Sequence, residues 1–298
     1  MNQPSATVIA DSTYESGVRL TTLEVRFHRF MLPQFNSHRV FSWNSSSSRA
    51  VPVSRQLSSM SVGQAEPLAW PAERRGMQGG DALEDAETVK GIWRDIGRFA
   101  MDRAADLQAA GLHKSVTNRV LEPFMWHTSV VTSTAWDNFF LQRDSELAQP
   151  EVRALAKAMS DARSGSVPRQ LPAGGWHLPY VTDRDVEEDG ARGDLLARIS
   201  AARCARTSYL THDGNADPEA DLKLFDKLVS ADPPHWSPLE HVATPWPENR
   251  NKGELRFTDR NGRQHDLPLE HLPRVGNLLA WRSLRTEVEA SKGARTFA

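Results

Sequence analysis

The densest run of chemistry-bearing side chains is residues 34–49, QFNSHRVFSWNSSSSR. It supplies His38, Arg39 and Arg49 as cations or donors, and Gln34, Asn36, Asn44 and six serines as neutral hydrogen-bonding groups. Such a set suits a phosphate beside a polar heterocycle. A guanidinium can bind phosphate bidentately while hydroxyls and backbone N–H groups complete the oxygen shell. Composition alone leaves a second reading open, a solvated serine-rich loop. Among the nine tryptophans, Trp43 inside this run is the one expected beside a ligand, the rest belonging mostly to core or subunit interface.

The order of residues adds more than their types. The run resembles the signature of the flavin-dependent thymidylate synthases: Arg-His-Arg, seven residues, then Ser, with a Gln three residues ahead and an Arg two residues after. His38, Arg39, Ser47 and Arg49 fall on that spacing, Gln34 on the leading Gln, and Ser42 and Asn44 on two further common positions. Ser37 stands where the family has its first Arg. A second stretch, 119–151, is similar to the family's later half. Arg119 opens its Arg-x-x-x-Pro segment, Asn138 and Arg143 fit Asn-Phe-x-x-x-Arg, and Ala148, Gln149 and Glu151 fit Ala-Gln-x-Glu. A third pair, ARTSY at 205–209 and HWSPLEH at 235–241, resembles elements that open the usual family sequence. Here they follow the signature instead of preceding it, which implies a circular permutation; chains tolerate this where termini lie close together at a surface.

The resemblance implies an α+β fold, a mixed β-sheet packed with α-helices, in a homotetramer whose active sites are shared between subunits. It implies reductive methylation of dUMP to dTMP with FAD as cofactor and with NADPH and methylenetetrahydrofolate as co-substrates. By the same resemblance Gln34, Ser47, Ser48, Arg49, Arg119 and Arg143 bind dUMP, Arg143 also favouring ionisation of the uracil ring. Ser37, His38, Arg39, Asn44, Asn138, Ser208, His235, Ser237 and Glu240 lie at the flavin. A sibling enzyme delivering a hydroxymethyl group, and a catalytically silent nucleotide- or flavin-binding protein, are the alternatives. Cys204, the sole cysteine, reads as a buried structural thiol rather than a nucleophile.

These residues need elements to position them. Residues 21–31 alternate Leu23, Val25 and Phe27 with polar neighbours, the period of a half-buried strand ended by Pro33. Residues 53–84 are rich in Gly, Pro and Ser and read as irregular. From 85 to 110, Val89, Ile92, Ile96, Phe99, Ala100 and Leu107 recur at helical spacing, with Gly111 as C-terminal cap. Residues 119–159 read as mostly helical, with TSVVTSTAW ambiguous because it is β-branched. SVPRQLPAGGWHLPYV reads as a long connection or lid, and a helix is expected from Asp217 with Pro218 in its first turn. A polar hairpin is expected about 259–262, and GNLLAWRSLRTEVE should be helical. One catalytic domain is expected, composed of 18–52, 85–160, 195–246 and a C-terminal extension 247–298.

Composition bounds the rest. A chain of 298 residues, 39% hydrophobic and 25% charged, can bury a sizeable core. The net charge of −2 provides no general basic field for a nucleic-acid polymer, so small nucleotide and folate partners are expected. No histidine spacing matches a zinc site. Neither a secretory signal nor an apolar run long enough for a membrane is visible, and one cysteine suits a reducing cytoplasm.

Overall fold

The computed structural model describes residues 3–172, 174–188, 192–209, 217–245, 256–258, 264–266 and 274–291. Five strands form the central sheet: β1 (Ser5–Thr13), β2 (Leu20–His28), β3 (Ser42–Ser45), β4 (Trp126–Ser133) and β5 (Arg169–Gln170). Their order is β3-β4-β2-β1-β5, antiparallel except for the parallel β1–β5 pair. The fold is α+β, a mixed sheet packed with helices. No described helix is long and apolar enough to cross a membrane.

Each face of the sheet is closed by a different chemistry. On one, Leu23, Val25, Phe27 and Val131 pack against Val152, Leu155 and Met159 of the helix Pro150–Ser164, with Phe35, Phe41, Trp136 and Phe139 completing an apolar core. On the other, hydroxyls and imidazoles form a buried chain. Ser12 Oγ meets His177 Nδ1 at 2.9 Å, His177 Nε2 meets Thr22 Oγ1 at 2.7 Å, Thr22 meets Thr132 Oγ1 at 2.7 Å, and Thr132 meets His241 Nδ1 at 2.8 Å. The strand expected to be half-buried is therefore covered on both sides, because His177 bonds its Thr22 while His241 bonds Thr132 on the neighbouring β4.

Four further expectations are settled differently by the fold. TSVVTSTAW supplies most of β4, an interior strand of the sheet, where β-branched Thr128, Val130, Val131 and Thr132 pack well on a pleated surface. Residues 53–84 are not wholly irregular: Val53–Val62 is a helix burying Val53, Gln56 and Met60 at helical spacing. The segment read as a long connection or lid is a connection pinned in place, since His177 is fully buried and its backbone bridges Ala243. GNLLAWRSLRTEVE begins as two short strands, β10 (Leu278–Leu279) and β11 (Trp281–Ser283), before the helix Leu284–Ser291; these strands pair with β9 (Arg274–Val275) and β6 (Ala243–Pro245).

The helix Ala86–Ala109 forms where expected, capped by the Asp85 carboxylate accepting from Thr88 N and followed by Gly111 at φ +84°. Its packed side is different. Trp93, Ala100 and Ala104 face Met60, Leu121 and Phe124, and Gly97 is buried against Gln64, whereas Ile92, Ile96 and Phe99 are 54%, 50% and 63% exposed. Small residues let the helix sit close, leaving the larger ones outside. The helix Pro218–Ser230 matches expectation, with Asp217 accepting from Glu219 N and Ala220 N. Strands β7 (Arg256–Thr258) and β8 (Gln264–Asp266) pair antiparallel, as the expected hairpin requires, while 259–262 lie outside the described residues.

One amide ties the signature strand to the far block. Asn44, buried on β3, donates from Nδ2 to the Cys204 carbonyl at 2.8 Å, and its Oδ1 accepts from Ser208 Oγ at 3.3 Å and Ser237 Oγ at 3.1 Å. Behind it, Arg203 bonds Asp185 at 2.6 Å and Asp221 at 2.8 Å, and Arg206 reaches Asp221, locking the helices Gly193–Arg206 and Pro218–Ser230 together. Asn44→Ala is expected to lower the unfolding free energy by about 2–3 kcal/mol in a urea titration, because three polar groups lose a buried partner. Ser45→Ala, which loses one bond to Ser129, should cost under about 1 kcal/mol; equal losses would refute the distinction.

Burial lowers the pKa of His127, His177 and His241 from the ordinary 6.5 to about 3. They stay neutral in the fold while the unfolded chain protonates below pH 6.5, so their stability is complete above that value and is lost as pH falls towards 3. Lowering pH from 7 to 5 should remove on the order of 2 kcal/mol per buried histidine, measured by denaturant unfolding at both pH values. Unchanged stability would show that these rings are charged in the native state.

Candidate active site

A cleft of about 680 Å³ opens where β3 and the serine run meet the far block. This volume lies in the range of sites for small organic ligands. Arg39, Asn44, Ser47, Ser48 and Arg49 line it from the signature, Arg119 from the second matching stretch, and Ser237 and Glu240 from the third. Backbone geometry holds the serine run in place: Ser47 N donates to the Ser208 carbonyl, Ser46 N to the Thr128 carbonyl, and Ala50 N and Val51 N back to Ser47. The run is thus a fixed turn at the sheet edge, not a solvated loop, and both Ser46 and Ser48 are buried.

Charge is distributed unevenly in the cleft. Glu122 Oε1 accepts from Arg119 Nη1 at 2.9 Å, Arg29 Nη2 at 3.1 Å and Ser48 Oγ at 2.8 Å, so one carboxylate aligns two guanidiniums and a hydroxyl. Arg29 also donates to His127 Nδ1 at 2.9 Å, and burial, aided by this positive neighbour, keeps His127 neutral. Glu240 is held by Arg285 at 2.6 Å. Arg39 and Arg49 have no side-chain partner among the described residues and are exposed at the cleft, ready for an anion. Trp43 is 39% exposed in the same wall, whereas Trp136 and Trp281 are core residues.

A second cluster lies outside this lining. Arg143 donates from Nε to His38 Nε2 at 2.8 Å, and burial followed by the Arg143 charge lowers the His38 pKa, favouring the neutral ring as acceptor. His38 is also set edge-on against Phe139, with ring centroids 4.8 Å apart. The terminal nitrogens of Arg143 remain without a partner among the described residues. Nearby in sequence, Gln34 Nε2 donates to Gln149 Oε1, and Ser37 Oγ donates to the Gln34 carbonyl at 2.6 Å, where the family Arg would stand. Asn138 and His235 are exposed and do not line the cleft, and neither does Ser208, which reaches it only through Asn44. Cys204 is fully buried, and burial pushes its thiol well above the ordinary range, which suits packing and not nucleophilic attack.

Sequence reasoning missed Arg29, His127 and Asn277. Arg29 was hidden inside an alternating strand pattern, although its place just ahead of the signature was the available signal. His127 sits within the stretch read as helical, and Asn277 in one with no recognisable motif.

A family model described as thymidylate synthase complementing protein matches residues 18–169. No curated protein sequence matches the chain. Among solved structures, a UMP/dUMP methylase, PolB, from Streptomyces cacaoi bound with 5-Br dUMP is 15% identical, at TM-score 0.44, covering 54% of this chain and 90% of that one. Flavin-dependent thymidylate synthase ThyX from Helicobacter pylori, complexed with FAD and dUMP, is 18% identical at TM-score 0.35, covering 48% and 67%. The family match spans just over half of the 298 residues and contains the signature with Arg119 and Arg143: this chain belongs to the thymidylate synthase complementing protein family.

Proposed function

We propose that this protein is a flavin-dependent thymidylate synthase, converting dUMP to dTMP with FAD as cofactor, NADPH as reductant and methylenetetrahydrofolate as one-carbon donor. The observation that carries the reading is the convergence of three distant stretches on one cleft: Arg39 and Arg49, then Arg119, then Ser237 and Glu240. The residues fit the cofactor. Two guanidiniums without side-chain partners among the described residues and a row of hydroxyls suit phosphate oxygens, and an exposed Trp43 gives a flat ring surface. The flavin supplies redox chemistry that no side chain here can perform.

The roles of the chain's own groups are assigned by the family resemblance, which the cleft lining supports for Arg39, Asn44, Ser47, Ser48, Arg49, Arg119, Ser237 and Glu240. Ser47, Ser48, Arg49 and Arg119 bind the nucleotide, with Glu122 keeping Arg119 turned to one side. Gln34 belongs to the same nucleotide-binding set. Arg39, Asn44, Ser237 and Glu240 serve the flavin side, together with Ser37, His38, Asn138, Ser208 and His235. Arg143, held by His38 through Nε, stabilises negative charge on the uracil ring through its terminal nitrogens and so raises electron density at C5.

The separation of Arg143 and His38 from the cleft lining supports a homotetramer with sites shared between subunits. The exposed stripe of Ile92, Ile96 and Phe99 supplies apolar surface for self-association. The contacts of Asn44 with Cys204, Ser208 and Ser237 support a circularly permuted order, with the elements usually first in the family coming last. The hydroxymethylated product is the second reading, favoured by Ser37, which stands in place of an arginine and whose hydroxyl donates to the Gln34 carbonyl.

Purified protein is expected to be yellow and to release FAD on denaturation. A colourless protein that cannot be reconstituted with FAD would sink this reading. Incubation with dUMP, methylenetetrahydrofolate and NADPH, followed by mass analysis of the nucleotide, separates methyl from hydroxymethyl from no reaction. Arg143→Ala should lower turnover at least about 10²-fold while FAD stays bound; full activity would remove its assigned role.

A further inference from the structure

The C-terminal segment carries no motif and lies beyond the residues matched by the family, yet it places one side chain in the cleft. Strands β9 and β10 form a tight hairpin whose two-residue turn is Gly276–Asn277, with Gly276 at φ +59°, a conformation a glycine supplies without strain. The hairpin is anchored: Leu278 is buried, Leu279 N donates to Thr134 Oγ1 at 3.1 Å, and Trp281 Nε1 donates to the Val18 carbonyl at 3.1 Å. At its tip, Asn277 Nδ2 donates to the Phe41 carbonyl at 3.1 Å and to Ser42 Oγ at 3.4 Å. The Phe41 carbonyl can only accept, so the amide's orientation is decided by chemistry. Its Oδ1 is left without a partner among the described residues, in a cleft wall shared with Trp43 and Asn44.

We propose that Asn277 is a ring-recognition residue whose Oδ1 accepts a hydrogen bond from an imide N–H of the bound ligand. The C(=O)–NH–C(=O) imide is the chemistry that isoalloxazine and uracil share, and a preset amide oxygen beside an aromatic side chain matches it. The inference rests on the flavin and nucleotide reading above and gives the C-terminal segment a part in binding. Because the donor side of the amide is engaged by Phe41 and Ser42 at the entry to β3, the acceptor is held without the freedom of an exposed asparagine.

Titrations of wild type and Asn277→Ala with FAD, dUMP and the N3-methylated form of each, read by flavin fluorescence or calorimetry, test it. Methylation at N3 should weaken binding of one of the two rings to wild type by about tenfold, and Asn277→Ala should bind that ring's two forms equally. Which ring shows the effect identifies the one that is read. Wild type binding both N3-methylated rings as tightly as their parents overturns the proposal whether or not the variant folds, as does a folded variant that keeps the full discrimination. Failure of wild type to bind either parent ring overturns the flavin reading itself.

Discussion

A sheet face lined by hydroxyls cannot be closed with apolar side chains without stranding those hydroxyls away from water, and this constraint organises the molecule. Thr22 and Thr132 lie side by side at the centre of the sheet, and each needs a buried partner. His177 and His241 supply those partners from two segments remote in sequence, and burial keeps both rings neutral. The apolar face tolerates repacking among similar volumes; the hydroxyl face demands particular atoms at particular distances. Specification of which segments cover which face therefore resides largely in these polar contacts.

The candidate site inherits its rigidity from that arrangement. Once His177 and His241 seat the far block, Asn44 has Cys204, Ser208 and Ser237 within reach, and the serine run is held by the Ser208 and Thr128 carbonyls. The guanidiniums divide into two kinds. Arg29 and Arg119 are committed to Glu122, which sets their direction, whereas Arg39 and Arg49 at the cleft have no side-chain partner among the described residues. Arg143 combines the two, one nitrogen spent on His38 and the others without a partner among the described residues.

Local signals made part of this legible in the sequence. Asp85, Asp217 and Pro218 marked helix starts because caps act within one turn, and the spacing of His38, Arg39, Ser47 and Arg49 revealed the signature. Failures came where distant packing decides the outcome. TSVVTSTAW is a strand because β2 and β3 flank it, and Ile92, Ile96 and Phe99 face outward because Gly97 and Ala104 offer the closer approach. Strand β1 has no strong alternation and went unseen. The site residues Arg29 and Asn277 lacked a motif, and only the folded chain brings them to the same cleft as Arg119.

The Asn44 clasp also has a temporal side. A ribosome delivers β2, the serine run and β4 well before Cys204, Ser208 and Ser237, so the hydroxyl face and the amide of Asn44 emerge with none of their final partners. Contacts so far apart in sequence close late and slowly, and strands exposed meanwhile are open to wrong pairing. The clasp can accordingly close only once the segment through Ser237 has emerged, and until then the hydroxyl face of the sheet is without its final partners.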